Sequence, residues 1–121
     1  MDVSVVNIQQ KFGLIGSQHK YKAVARMNNY LFKLVKMQRE FVWHTHEETD
    51  EVFLVFGGRL TIELREKTLR LGPGDMVSIP KGVEHKPSST EECLIMLVEP
   101  DTTVNTGSAG GALTDDDVEW I

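Results

Sequence analysis

The feature that most constrains this chain is the rhythm of its turn residues. Between Tyr21 and Pro100, short apolar or alternating stretches are cut by Asn28-Asn29, Gly57-Gly58, Gly72-Pro73-Gly74 and Pro80-Lys81-Gly82. Asparagine and glycine reach positive φ cheaply, and proline cannot donate to a strand ladder. Such punctuation leaves room for short strands and for no long helix. Tyr21 to Met27 alternates weakly and turns at Asn28-Asn29. Tyr30 to Met37 follows, with Leu31, Val35 and Met37 on one face and Tyr30, Phe32 and Leu34 on the other. Phe41 to His46 reads as a third strand. Glu51 to Phe56 reads as a fourth, apolar on both faces as a covered strand is. Arg59 to Leu64 alternates cleanly up to a charged tip, Arg65-Glu66-Lys67. Thr68 to Leu71, Met76 to Ile79 and Cys93 to Val98 complete the set. Many short strands with regular turns predict an all-β antiparallel sandwich or barrel, and the absence of an internal repeat predicts one barrel.

The flanks differ from this pattern. Residues 1–20 read as a lead-in. Ile8, Phe12 and Ile15 recur at nearly helical spacing, Asn7 is a candidate N-cap, and Gly13 and Gly16 are candidate stops. Residues 101–121 read as a loop-like tail. The run from Thr114 could open a short helix, because acidic residues suit a helix N-terminus. Trp120 and Ile121 are placed on the barrel, on a partner subunit, or at a frayed end.

Composition excludes several classes. At 121 residues the chain is expected to be one domain, with residues 21–100 as the barrel. The net charge of −5 and the scattered basic residues argue against a nucleic-acid partner. Lys20, Lys22, Arg26, Lys33, Lys36 and Arg39 read as the solvated edge of a sheet. The single cysteine, Cys93, sits in an apolar run and reads as a small buried hydrophobe. No segment is apolar for long enough to cross a bilayer, and Met1 to Gln10 has no signal-peptide pattern. The expectation is a soluble, cytoplasmic protein without a membrane partner. A symmetric homodimer is expected, as the commonest oligomer.

Chemistry concentrates on few residues. His44 and His46 stand two apart in a strand-like stretch, so they share a face with Cα atoms about 6.5–7 Å apart. In a helix the same pair would diverge. After the polar turn Glu47-Glu48-Thr49-Asp50, an antiparallel return brings Glu51 back beside them. His85 follows the turn Pro80-Lys81-Gly82. Each piece alone is ordinary: a solvated strand edge, one carboxylate among many, a loop histidine.

Together they resemble a known pattern. His44-Thr45-His46, then Glu51, then Gly58 is similar to the first motif of the cupin superfamily. Gly74, Pro80, Gly82 and His85 are similar in spacing to its second motif. The short separation between them, Arg59 to Gly72, resembles that of compact bacterial cupins, and Val98-Glu99-Pro100 followed by Asn105-Thr106-Gly107 resembles the end of small single-domain ones, which are often labelled by likeness to mannose-6-phosphate isomerase. That label reflects a shared barrel more than an activity. Two positions depart from the motifs: Gln38 stands where a glycine is expected and Ser89 where an asparagine is expected. The resemblance implies a conical jelly-roll barrel (a double-stranded β-helix). It also implies that His44, His46, Glu51 and His85 bind one divalent transition metal ion. Three imidazoles and a carboxylate suit Zn, Mn, Fe, Co, Ni or Cu, and affinity order does not choose among them. Gln38 shares the face of His44 and His46 by parity and is a candidate substrate contact.

Function is bounded less tightly. One reading is a metal-dependent enzyme acting on a small sugar-like or carbonyl/carboxylate compound, of isomerase or oxygenase type. Another is a non-catalytic, metal-dependent small-molecule binding protein. A third is a metal-handling or structural protein with no organic substrate. No general acid or base is nominated by the sequence.

Overall fold

The computed structural model describes residues 3–107, 109–115 and 117–121. It contains one short helix, α1 (Ile8–Gly13), and eight strands. These are β1 (Lys22–Met27), β2 (Tyr30–Glu40), β3 (Glu51–Gly57), β4 (Leu60–Leu64), β5 (Thr68–Leu71), β6 (Met76–Ile79), β7 (His85–Pro100) and β8 (Glu119–Trp120). The expected helix is present. Asn7 caps it, its side chain accepting from the Gln10 N–H at 2.9 Å, and Phe12 is its buried anchor.

The architecture hangs on β7, whose 16 residues extend the Cys93 to Val98 read from sequence at both ends. β2 lies antiparallel along one side of it, from Tyr30↔Pro100 to Glu40↔Ser88. On the other side β7 has two partners in turn: β4 pairs with its first part and β3 with its second. The change of partner falls near a wide bulge. Between Met37↔Cys93 and Arg39↔Ser89, the three residues Thr90 to Glu92 face Gln38 alone. Extra residues on one strand bend it and raise its twist, which lets one strand serve two sheets. β5 edges β4, β6 edges β3, and β1 edges β2. This is the jelly-roll arrangement, although the strand pairing does not run full circle.

Three expectations are corrected. Phe41 to His46 is not a strand; His44 alone bridges to His85. The ladder between β2 and β7 stops because Pro87 accepts from the Phe41 N–H at 2.9 Å but has no N–H to return. The end of the tail forms β8, parallel to β1, rather than a helix. The third correction is Lys33, which is 2% exposed and points into the barrel.

The main core lies between the two sheets and includes Val35, Met37, Phe53, Val55, Leu60, Ile62, Ile95 and Leu97. A second cluster, around Phe12, Val24, Leu34 and Met96, seats α1 on the outside of β2 and β7. Gly58 is required where the chain turns from β3 to β4. Its φ is +75°, and a Cβ there would meet the Glu92 carbonyl oxygen at 2.6 Å.

Candidate metal centre

The structure brings His44, His46, Glu51 and His85 together. One donor atom from each lies within 4.8 Å of all the others, and all four residues are buried. Glu51 opens β3 and His85 opens β7. The His44–His85 bridge, with N–H···O distances of 3.0 Å in both directions, staples the segment before β3 to β7. The Gly82 N–H donates to the His46 carbonyl at 2.9 Å, and the Lys81 N–H to Asp50 Oδ1 at 2.9 Å. The turn Pro80-Lys81-Gly82 therefore docks onto the loop that carries His46.

The rings are oriented by a repeated device. His44 Nδ1 lies 2.9 Å from the Val42 carbonyl, and His85 Nδ1 lies 2.9 Å from the Val83 carbonyl. A carbonyl only accepts, so each Nδ1 carries the proton and donates. In a neutral ring the lone pair is then on Nε2. His85 Nε2 sits 3.2 Å from Glu51 Oε1, and His46 Nε2 sits 3.3 Å from Glu51 Oε2. His46 Nε2 is buried and lacks a well-formed hydrogen bond. Lone pairs converging on a carboxylate repel unless a cation lies among them. The donor set therefore fits a divalent transition ion, and imidazole with carboxylate is a common ligand combination for one.

Electrostatics agrees. Burial, then the neighbouring His85, lowers the His44 pKa from 6.5 to about 4. Its imidazole is thus neutral near pH 7, as a metal ligand must be. Burial alone would raise the Glu51 pKa, but the polar groups around it, Glu99, His46 and His85, outweigh burial and hold the carboxyl well below its usual range. Glu51 is therefore ionised.

The His44 shift predicts an acid sensitivity. Unfolding would return this imidazole to its ordinary pKa of 6.5. Between that value and about 4 the unfolded chain binds more protons than the folded one, so folding stability falls as pH falls. The loss from this group is about 3 kcal/mol across the window. Urea unfolding of metal-free protein at pH 7 and at pH 4.5 checks it, and a His44→Ala variant should show a weaker pH slope.

A second buried group stands behind the centre, and sequence reading missed it. Lys33 Nζ pairs with Glu99 Oε1 at 3.1 Å, with both side chains almost fully enclosed. Burial, then the charge of Glu51, raises the Glu99 pKa well above the ordinary carboxylate value. The shift favours the protonated form of Glu99, whose Oε1 accepts from Lys33 while its Oε2 is buried without a hydrogen-bond partner. The signal was parity: Lys33 lies between Leu31 and Val35 on the inward face, and Glu99 continues the inward series Cys93, Ile95, Leu97.

Gln38 does not join the cluster. Its Oε1 accepts from Gln18 Nε2 at 2.9 Å, and its Nε2 donates to the Thr90 carbonyl at 3.3 Å. The parity argument fails because the bulge and the left-handed Arg39 (φ 70°) interrupt the alternation between Gln38 and His44. Ser89, the other departure, is buried, and its hydroxyl donates to the Arg59 carbonyl at 2.9 Å.

A half-open cleft of about 420 Å³ reaches His46 from outside, between Thr45, Glu47, Glu48 and Thr49 on one side and Thr102, Thr103, Val104 and Gly107 on the other. Tail residues form that second wall. Gly107 packs so closely on the Thr45 carbonyl that a Cβ would not fit. The tail is tied down where Asp115 Oδ2 accepts from the Tyr21 N–H at 2.8 Å and the Asp115 N–H donates to Asn105 Oδ1 at 2.7 Å.

A jelly roll with three histidines and one glutamate gathered inside it defines a class, the cupins. The model of the cupin domain family matches residues 30–99, and the chain belongs to that family. Over 86 residues, 70% of this chain and 76% of the relative, it is 30% identical to an uncharacterized protein of Bacillus subtilis, YdbB. A cupin-2 domain containing protein from Shewanella frigidimarina is 51% identical, with a TM-score of 0.78 over 79% of this chain and 94% of that one. KdgF from a Halomonas species is 30% identical, with a TM-score of 0.58 over 66% of this chain and 78% of its own.

Proposed function

We propose that this protein is a metal-dependent enzyme acting on a small sugar-like or carbonyl compound. His44, His46, Glu51 and His85 would hold one divalent transition ion. When bound, such an ion supplies Lewis-acid polarisation of a substrate oxygen, or oxygen chemistry if it is iron. The observation that carries the reading is the paired anchoring of His44 and His85 through Nδ1, which commits both Nε2 lone pairs to the space beside Glu51.

The chain's own residues would do the rest. Val42 and Val83 carbonyls fix the rings, and Glu99 stands buried behind them with its carboxyl on Lys33. The cleft beside His46 offers threonine hydroxyls to a polyol. The Glu47 and Glu48 carboxylates on its rim favour a neutral sugar or carbonyl compound over a carboxylate. Its volume suits a small ligand.

The test is a thermal-shift screen of metal-loaded protein against neutral sugars and carbonyl compounds, with each hit followed by NMR for turnover. A hit that is converted, and is no longer converted by Glu51→Gln protein, supports the reading. A hit that binds without conversion makes this a binding protein instead. No hit at all contradicts both.

A further inference from the structure

A second cavity lies away from the metal centre. It is a groove of about 610 Å³ across the outer face of β4, β5 and the first part of β7, and Arg39, Arg59 and Arg70 line it with Ser88, Thr61 and Thr90. We propose that this groove binds a small phosphorylated molecule.

Charge distribution is the first argument. The chain carries a net charge of −5, yet three of its five arginines line this one groove. The other two are neutralised, Arg26 by Asp101 at 2.9 Å and Arg65 by Glu84 at 2.6 Å. Among the described residues, Arg39, Arg59 and Arg70 form no ion pair. Of the nearby acids, Glu91 lies beside Arg59 in the adjoining cleft without forming an ion pair, and two others are engaged elsewhere. Glu40 lines the groove but accepts from Lys86 Nζ at 3.3 Å, and Asp75 Oδ2 accepts from the Gly72 N–H at 2.9 Å. The groove therefore presents guanidinium groups without their own counter-ions, in a protein otherwise acidic.

Geometry is the second argument. The register aligns Arg70 with Thr61, and Thr61 with Ser88, in one cross-strand row on the outer face. Neighbouring strands stand about 4.8 Å apart, so hydroxyls and a guanidinium lie within reach of one small ligand. Arg39 joins them at a cost in backbone conformation. Continued alternation would send it inward between Met37 and Phe41; instead it adopts φ 70° at the bulge and stays exposed. A non-glycine residue in this left-handed region is uncommon. Planar forks of N–H donors with adjacent hydroxyls match the several acceptor oxygens of a phosphoryl group. Ser88 has the opposite parity to His85 and lies about 10 Å further along β7, so the groove is separate from the metal centre. The half-enclosed volume admits a small molecule and not a polymer.

Isothermal titration of the full chain with pyrophosphate, at fixed ionic strength, tests this. The probes alongside are inorganic phosphate and malonate. Saturable one-to-one binding is expected, weakened at least about tenfold in an Arg59→Gln/Arg70→Gln variant and in Arg39→Gln. An Arg26→Gln/Arg65→Gln variant loses the same charge outside the groove and should bind as the parent does. No saturable binding overturns the proposal. Equal loss in both double variants shows general charge attraction and overturns it too. Malonate binding as tightly as pyrophosphate overturns the phosphoryl assignment. All three groove arginines are solvent-facing, and circular dichroism of each variant verifies that folding is unchanged.

Discussion

Replacing both His44 and His46 with alanine removes two of the four donors, and the variant is expected to lose all response to added metal. In the parent, a divalent ion that binds only the folded chain stabilises it by mass action, about 4 kcal/mol at a thousandfold excess over its dissociation constant. For a domain near this size that is a rise in Tm of well over 10 °C. The double variant should melt at one temperature with or without Zn or Mn. Cavities left by the two rings will lower that temperature somewhat, so the informative quantity is the metal-induced shift and not the Tm itself. A shift of parental size in the double variant would mean that metal binds elsewhere.

The second large effect concerns the buried Lys33–Glu99 pair behind the centre. Glu99→Leu strands the Lys33 ammonium in the barrel, where both residues are nearly unexposed. Removing one partner of a buried pair costs about 3–5 kcal/mol, because the other is left desolvated and uncompensated. Glu99→Gln should be mild, at about 1 kcal/mol, since an amide of the same size can still accept from Lys33 as a protonated acid would. Lys33→Met/Glu99→Leu should recover most of the loss. Urea denaturation of the three variants measures this. A Glu99→Gln cost as large as that of Glu99→Leu would show that Glu99 is ionised in the folded protein.

The fold and the centre were legible in the sequence to different depths. Period-two stretches gave β1 to β6 within a few residues because each is short and bounded by glycine, proline or asparagine. β7 was half missed. Lys86 to Glu92 is almost entirely polar, because part of it is the bulge and part presents hydroxyls and charge outward, so it carries no apolar rhythm. Phe41 to His46 has strand-like alternation but lacks a partner ladder, which depends on a proline more than forty residues away in sequence. The four donors were legible because motif spacing encodes them locally. The carbonyl anchors of His44 and His85 were not, since each depends on loop geometry that residue types do not specify. Lys33 was misread for a simpler reason: a lysine between apolar residues suggests a solvated edge until its buried partner Glu99 is seen across the sheet.

The most direct test of the central claim is elemental analysis of the protein purified without an affinity tag, with metal counted per chain. About one equivalent of a divalent transition ion is expected, held by the cluster of His44, His46, Glu51 and His85. Iron would direct the next assays to oxygen chemistry, and zinc, manganese or nickel to Lewis-acid chemistry on sugars. A protein that carries no metal and takes up none when it is offered would contradict the account.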